Sequence, residues 1–243
     1  MAGNMIFIDT EQDHKILSVN HHTKYAVTAA IIDGWVATGS YDKTVCLYRM
    51  NDAKLPDLDT RIILKYETAV ESICFLAAQD GHATTLVVTC RDNNYLLYYP
   101  LPDSLRNDEE LQLVKYNMNA NNDDWVSFTV LHLSPAPNGR FLLANTSTPT
   151  GKLLIFPAHS GTVLKTFYGV PTESLAPRCT LSADGKYVLA TGDDFAIWCF
   201  KVNTGELISR ITHHEATVRN LWLDPSLGIL SCGWDKNVFV CGV

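Results

Sequence analysis

No stretch of this 243-residue chain concentrates Lys or Arg, and its formal net charge is −7. Phosphate binding needs a clustered positive field, so neither a nucleic acid nor an anionic membrane surface is expected as partner. No apolar run approaches the ~20 residues of a membrane-spanning helix. The opening MAGNMIFIDTEQDHK has no basic start leading into a long apolar run, so no secretory signal is read there. Cys241 lies one position too late for a C-terminal prenylation box. The seven cysteines, at 46, 74, 90, 179, 199, 232 and 241, form no CxxC pair. Odd in number and scattered through apolar runs, they read as buried free thiols of a reducing compartment; a cytoplasmic location is expected, with a nuclear one left open. Asn145-Thr146-Ser147 matches a glycosylation sequon, which without a signal peptide is read as chance. Phosphate-cradling GxGxxG and GxxxxGK[ST] patterns and a Ser-nucleophile elbow are all missing, and most carboxylates fall in turns. Catalysis is not expected, and no cofactor is assigned.

What the chain does contain is a repeat. Its 47% hydrophobic and 19% charged residues describe a globular protein long enough to bury a sizeable core, read as one domain over residues 1–243. WVATGSYDKTVCLY (35–48), KYVLATGDDFAIWCF (186–200) and GILSCGWDKNVFVCG (228–242) share one plan. Each has a β-rich run, then Thr-Gly or Ser-Cys-Gly, an Asp, and a second β-rich run. Five units follow, at about 15–50, 60–101, 111–157, 162–202 and 206–243, each an outer strand followed by three inner ones. Amphipathic helices of useful length are not visible. The fold class is therefore all-β: four-stranded antiparallel sheets that stack because none buries both faces alone.

The residues at the turns carry a family resemblance over nearly the whole chain. His214, Ser231 and Asp235 in the fifth unit, and His22, Thr38 and Asp42 in the first, stand where WD40 repeats place a His–Ser/Thr–Asp hydrogen-bond network. Tyr48, Tyr98 and Phe200 stand where that repeat closes on Trp; the fifth unit has Cys241 there, which makes its sheet the weakest of the well-matched ones. The fourth unit offers Thr191 and Asp194, the second only Asp92 with Tyr98, and the third no matching Asp. The chain thus resembles the WD40-repeat β-propellers, which implies a propeller of about five blades and a non-catalytic scaffold that binds proteins. The first strand, KILSV, is expected to complete the last blade; alternatively MIFIDTEQDHKIL, which aligns with AIWCFKVNTGELI, is the tail of a further blade and the ring is open.

The resemblance places the residues just before the turn Asp on the top rim, where partners commonly bind: Tyr41, Arg91, Asp193 and Trp234, flanked by Lys43 and Lys236. Tyr, Arg and Trp dominate interface energetics, and polar turns do not need them. Trp125 and Arg219 are weaker candidates. Three other patterns are read as structural. Adjacent residues on a strand point to opposite sides, so His21-His22 and His213-His214 do not chelate, and no metal is assigned. His214-Glu215 opens an HExxH match that fails at its last residue. The Asn117–Asp124 stretch lacks the Gly and Glu of a calcium loop and reads as a polar connection. The alternatives to a rim-binding scaffold are a constitutive subunit of a larger coat- or pore-like assembly and, less favoured, a hydrolase or lyase with a site in the central channel.

Overall fold

A computed structural model describes residues 3–9, 14–51, 55–103, 110–148, 151–172, 177–224 and 226–242. All regular structure among them is β. Contacts group the chain into two compact units, one running through Asp92 and including residues 97–115, the other formed by residues 93–96 and those from Tyr116 onward.

The first unit begins with a hairpin of β1 (Asn4–Asp9) and β2 (His14–Asn20). A sheet of β3 (Ala26–Ile32), β4 (Trp35–Ser40), β5 (Thr44–Met50) and β6 (Pro56–Lys65) follows in simple antiparallel order. The next contains β7 (Val70–Leu76), β8 (Thr85–Cys90), β9 (Tyr95–Pro100) and β10 (Val114–Asn117). β7 packs against β3 and β4 and buries all seven of its residues. β3 has no fully buried residue. The alternation of β1 is visible in its contacts, since Met5 and Phe7 pack on Val36, Cys46 and Tyr48 while Ile6 and Ile8 face outward.

The second unit repeats the arrangement. β11 (Val130–Pro135), β12 (Phe141–Thr146), β13 (Lys152–Pro157) and β14 (Lys165–Tyr168) form one sheet, and β15 (Cys179–Leu181), β16 (Tyr187–Thr191), β17 (Ile197–Lys201) and β18 (Leu207–Ile211) the next. β19 (Val218–Asp224), β20 (Gly228–Gly233) and β21 (Val238–Cys241) form a third of three strands. The first strand of each later sheet packs on the first two strands of the sheet before it. Between the first pair of sheets, Leu143, Leu153, Phe167, Val188, Ala190 and Phe200 form a continuous core. A smaller one, around Leu189, Ile197, Val218 and Leu221, joins the second pair. Antiparallel sheets of four short strands, stacked in chain order through their inner strands, are blades of a β-propeller.

The opening strands pair with each other, β2 with β1 from Asn4↔Asn20 to Asp9↔His14, and the sheet of β21 has three strands among the described residues. One expectation, the register of the turns, needs correction. Strand pairing sets Thr38 opposite Cys46, Ala190 opposite Trp198 and Ser231 opposite Phe239, but Val88 opposite Leu97 and Ala144 opposite Leu154. The central turns of the second and third repeats are thus one and two residues longer. The counterpart of Tyr48, two places along the closing strand, becomes Tyr99 rather than Tyr98, and in the third repeat Phe156. By the same register Ala190, not Thr191, stands where Thr38 does.

Candidate functional site

The turns between second and third strands are built by their aspartates. Asp42 Oδ1 accepts the Thr44 amide at 3.0 Å, Asp194 Oδ1 that of Ala196 at 3.3 Å and Asp235 Oδ1 that of Asn237 at 3.1 Å. In the second repeat Asn93, not Asp92, plays this part, accepting from the Tyr95 amide at 2.8 Å. A side-chain oxygen that closes a turn on its own backbone explains why Asp recurs there. The residue after it has left-handed φ at Lys43 (72°), Phe195 (65°) and Lys236 (64°). Lys43 and Lys236 are exposed, and their place in the turn is fixed by backbone conformation rather than by the ammonium group.

In the first and fifth repeats a histidine locks this turn to the loop before the inner strand. The His22 ring is buried; its Nδ1 donates to Asp42 Oδ2 at 3.1 Å, and its Nε2 accepts from the Thr38 hydroxyl at 2.9 Å. The Thr23 amide reaches the same carboxylate at 2.9 Å. His214 makes the same pair of contacts, Nδ1 to Asp235 Oδ2 at 2.8 Å and Nε2 to Ser231 Oγ at 2.9 Å, with Phe239 edge-on at 4.7 Å. Burial pushes the Asp42 and Asp235 carboxyls up, but the hydrogen bonds aimed at them outweigh it and hold both below the ordinary aspartate value. The fourth repeat replaces histidine: Asp194 takes the Trp198 indole N–H at 3.1 Å and an ion pair from Arg210. Thr191 instead accepts the Arg178 amide at 2.8 Å.

His21 does not pair with His22. Arg61 donates to its Nε2 at 2.8 Å, and its Nδ1 lies 2.8 Å from the Tyr48 hydroxyl, so the two adjacent rings serve separate networks. Desolvation, with Arg61 beside it, lowers the His21 pKa. His213 is exposed and lies against Phe239. Around Asn117–Asp124 the polar groups close on one another: Asn117 and Asn119 both donate to the Asp123 carbonyl, and Asp123 Oδ1 accepts from Asn119 and from the Trp125 amide. Asn145 is wholly buried within β12, where a glycan has no room.

The residue that leads into the turn is held the same way in the first, second and fifth repeats. The amides of Tyr41, Arg91 and Trp234 donate to the carbonyls of Tyr25, Ala69 and Thr217, each the residue just before an inner strand. Ser147, which sequence alignment missed, makes the equivalent bond to Thr129 at 2.8 Å; its longer turn hid it. Asp193 bonds further back, to Pro171 at 2.8 Å. The backbone is thus fixed while the side chain is free to vary.

These side chains differ in what they touch. In the first unit the Arg91 guanidinium lies 5.1 Å over the Tyr41 ring and is ion-paired with Glu71. Glu71 is buried, and desolvation raises its pKa despite Arg91. Sequence reading overlooked Glu71, although one acid within the apolar run AVESICFL signals a buried charge needing a partner. In the second unit Trp234 is 64% exposed with Arg219 5.3 Å over its ring. Asp193 is half-buried, and Trp125, 76% exposed, stands on the polar loop.

Stacked four-stranded antiparallel sheets whose turns are locked by aspartate make this a β-propeller of the repeat type. The family model for the WD domain, G-beta repeat, matches residues 13–49, the stretch that holds His22, Thr38 and Asp42, and the fold repeats that unit; match and fold together support a WD40-repeat β-propeller. Curated proteins searched with the chain gave no match. WD40 propellers are generally protein-interaction scaffolds and typically non-enzymatic.

Proposed function

We propose that this chain is a non-catalytic scaffold that binds partner proteins through the side chains at its second-to-third-strand turns, with Trp234 as the principal anchor and Tyr41, Arg91, Asp193, Lys43 and Lys236 as further contacts. The observation that carries the reading is Trp234 itself. Its amide and the aspartate beside it are fully engaged in the turn, yet its ring is 64% exposed, although folding of a polar turn does not call for an indole. A rigidly mounted, amphipathic aromatic loses little entropy on binding. The seven free cysteines support a cytoplasmic setting for such a scaffold.

The test is affinity recovery of cellular partners with the Trp234→Ala and Tyr41→Ala variants, each shown to keep the circular dichroism and melting curve of the parent. Loss of partners at unchanged fold is expected; full recovery with both variants overturns the reading. Arg91→Ala does not serve here, because it also strands the buried Glu71 carboxylate.

One observation favours the second reading, a constitutive subunit of a larger assembly. The outward face of β1 shows Ile6 at 57% and Ile8 at 60% exposure, beside Ile31 of β3 at 69%. Light scattering separates the two readings, since a monodisperse monomer at high concentration argues against obligate assembly.

A further inference from the structure

Within the second unit, a cleft of about 520 Å³ opens at the far ends of the strands from the turns of Ser147 and Asp193. β12 runs from Phe141, in the cleft, to Thr146 beside Ser147, and β16 runs the same way from Tyr187 to Thr191. The floor of the cleft is the uncovered end of the core between the two sheets: Ala136, Phe141, Ile155, Leu181 and Val202 belong to both. Leu164, 54% exposed, forms one lip. A volume of this size, with an apolar floor and a few convergent polar groups, is typical of a binding site rather than a packing defect.

The polar groups at the mouth define what fits. Asp184 is already matched: it accepts from the Ser182 hydroxyl at 2.7 Å and the Lys186 amide at 3.0 Å, and pairs with the Lys186 ammonium at 3.0 Å. Lys165 is not. Among the described residues its Nζ makes one bond, to the Asn203 carbonyl at 3.2 Å, and an ammonium has three hydrogens to donate. In sequence, the lining residues and their immediate neighbours include Arg140, Lys165, Lys186 and Lys201 against Asp184, a local excess of positive charge in a chain of net charge −7. Asn138 and Asn203 add amide groups that match a peptide backbone.

We infer that this cleft is a second protein-binding site, separate from the turn residues, which takes an extended peptide segment presenting one large apolar side chain with a carboxylate beside it. The apolar group continues the core onto Phe141 and Leu181, and the carboxylate pairs with Lys165. Charge-assisted contact at the mouth of an apolar pocket gives both anchoring and orientation.

Selection of a phage-displayed random octapeptide library on the intact chain tests this. Enriched peptides are expected to carry an aromatic or large aliphatic residue next to Asp or Glu. Synthetic versions, followed by fluorescence polarisation, are expected to lose about tenfold or more in affinity for Lys165→Glu and for Leu164→Ser, and to bind Trp234→Ala unchanged. Leu164 is exposed and Lys165 half-buried at the cleft mouth, and Ala183→Trp, which fills the mouth from an exposed turn, is a third block that leaves the core intact. Absence of the apolar–acidic signature, or peptides whose binding ignores all three cleft substitutions, overturns the proposal. Peptides that depend on Trp234 alone overturn it while leaving the reading of the turns in place.

Discussion

The sheet of β7–β10 and the sheet of β19–β21 reverse the ordering that their sequences suggest. The former has lost the histidine network, and Val88 stands where Thr38 and Ser231 stand elsewhere, yet β7 and β8 are buried at every residue. The latter keeps the whole His214–Ser231–Asp235 network, while Val238 and Val240 are 69% and 57% exposed. Motif quality and burial are therefore independent. The network fixes the geometry of one turn; burial depends on what packs against each face. Apolar burial is worth about 25 cal/mol per Å², so neighbours rather than the motif dominate stability.

The sharpest way to break this comparison is through the core. Leu86→Ala in β8 removes a wholly buried side chain and is expected to cost about 2–5 kcal/mol in urea unfolding. Val240→Ala in β21 is expected to stay within about 0.5 kcal/mol. Equal costs would mean that β21 is covered in solution.

Next in size are the polar locks. His214→Ala leaves Ser231 and Asp235 short of a partner and is expected to cost about 1–3 kcal/mol, with hydrogen exchange accelerated around residues 231–237. Arg91→Ala is expected to cost a similar or smaller amount at neutral pH, because half-exposed Arg91 pairs with buried Glu71. Combination with Glu71→Gln is expected to restore part of the loss, and no restoration would show that the guanidinium acts through Tyr41 instead.

The smallest effect separates the two sheets by sign. Asp42 and Asp235 are held below the ordinary value of 3.8, so the stability they contribute is present above that value and lost as pH falls below it. Glu71 is held above its ordinary value of 4.5, so its contribution is present below 4.5 and lost as pH rises through its folded pKa. Hydrogen exchange followed on acidification is expected to loosen the turns at Asp42 and Asp235 relative to β7. Glu71→Gln removes the opposite trend from β7, and the same pH response with and without it counts against the assignment.

Strand positions were legible because period-two apolar runs bounded by Gly, Asp and Asn encode them locally; β3, β4, β8 and β16 fall where the sequence puts them. β6 does not: it begins at Pro56, ahead of the start near residue 60 read for the second repeat. The partners of His22 and His214 were legible too, since the network lies within one repeat. The equivalence of Ser147 and the places of Asn93 and Tyr99 were not, because an insertion in a turn leaves no mark on local pattern and only cross-strand pairing reveals it.

By itself the chain's sequence determined the sheets, their antiparallel order and the aspartate turns, because strands joined by short connections pair with their neighbours. Tertiary structure alone decided that Arg91 belongs to Glu71, and that the core between β11–β14 and β15–β18 stays open at one end. Each of these depends on which surfaces meet across long sequence separations, where many pairings satisfy the same pattern and packing selects one.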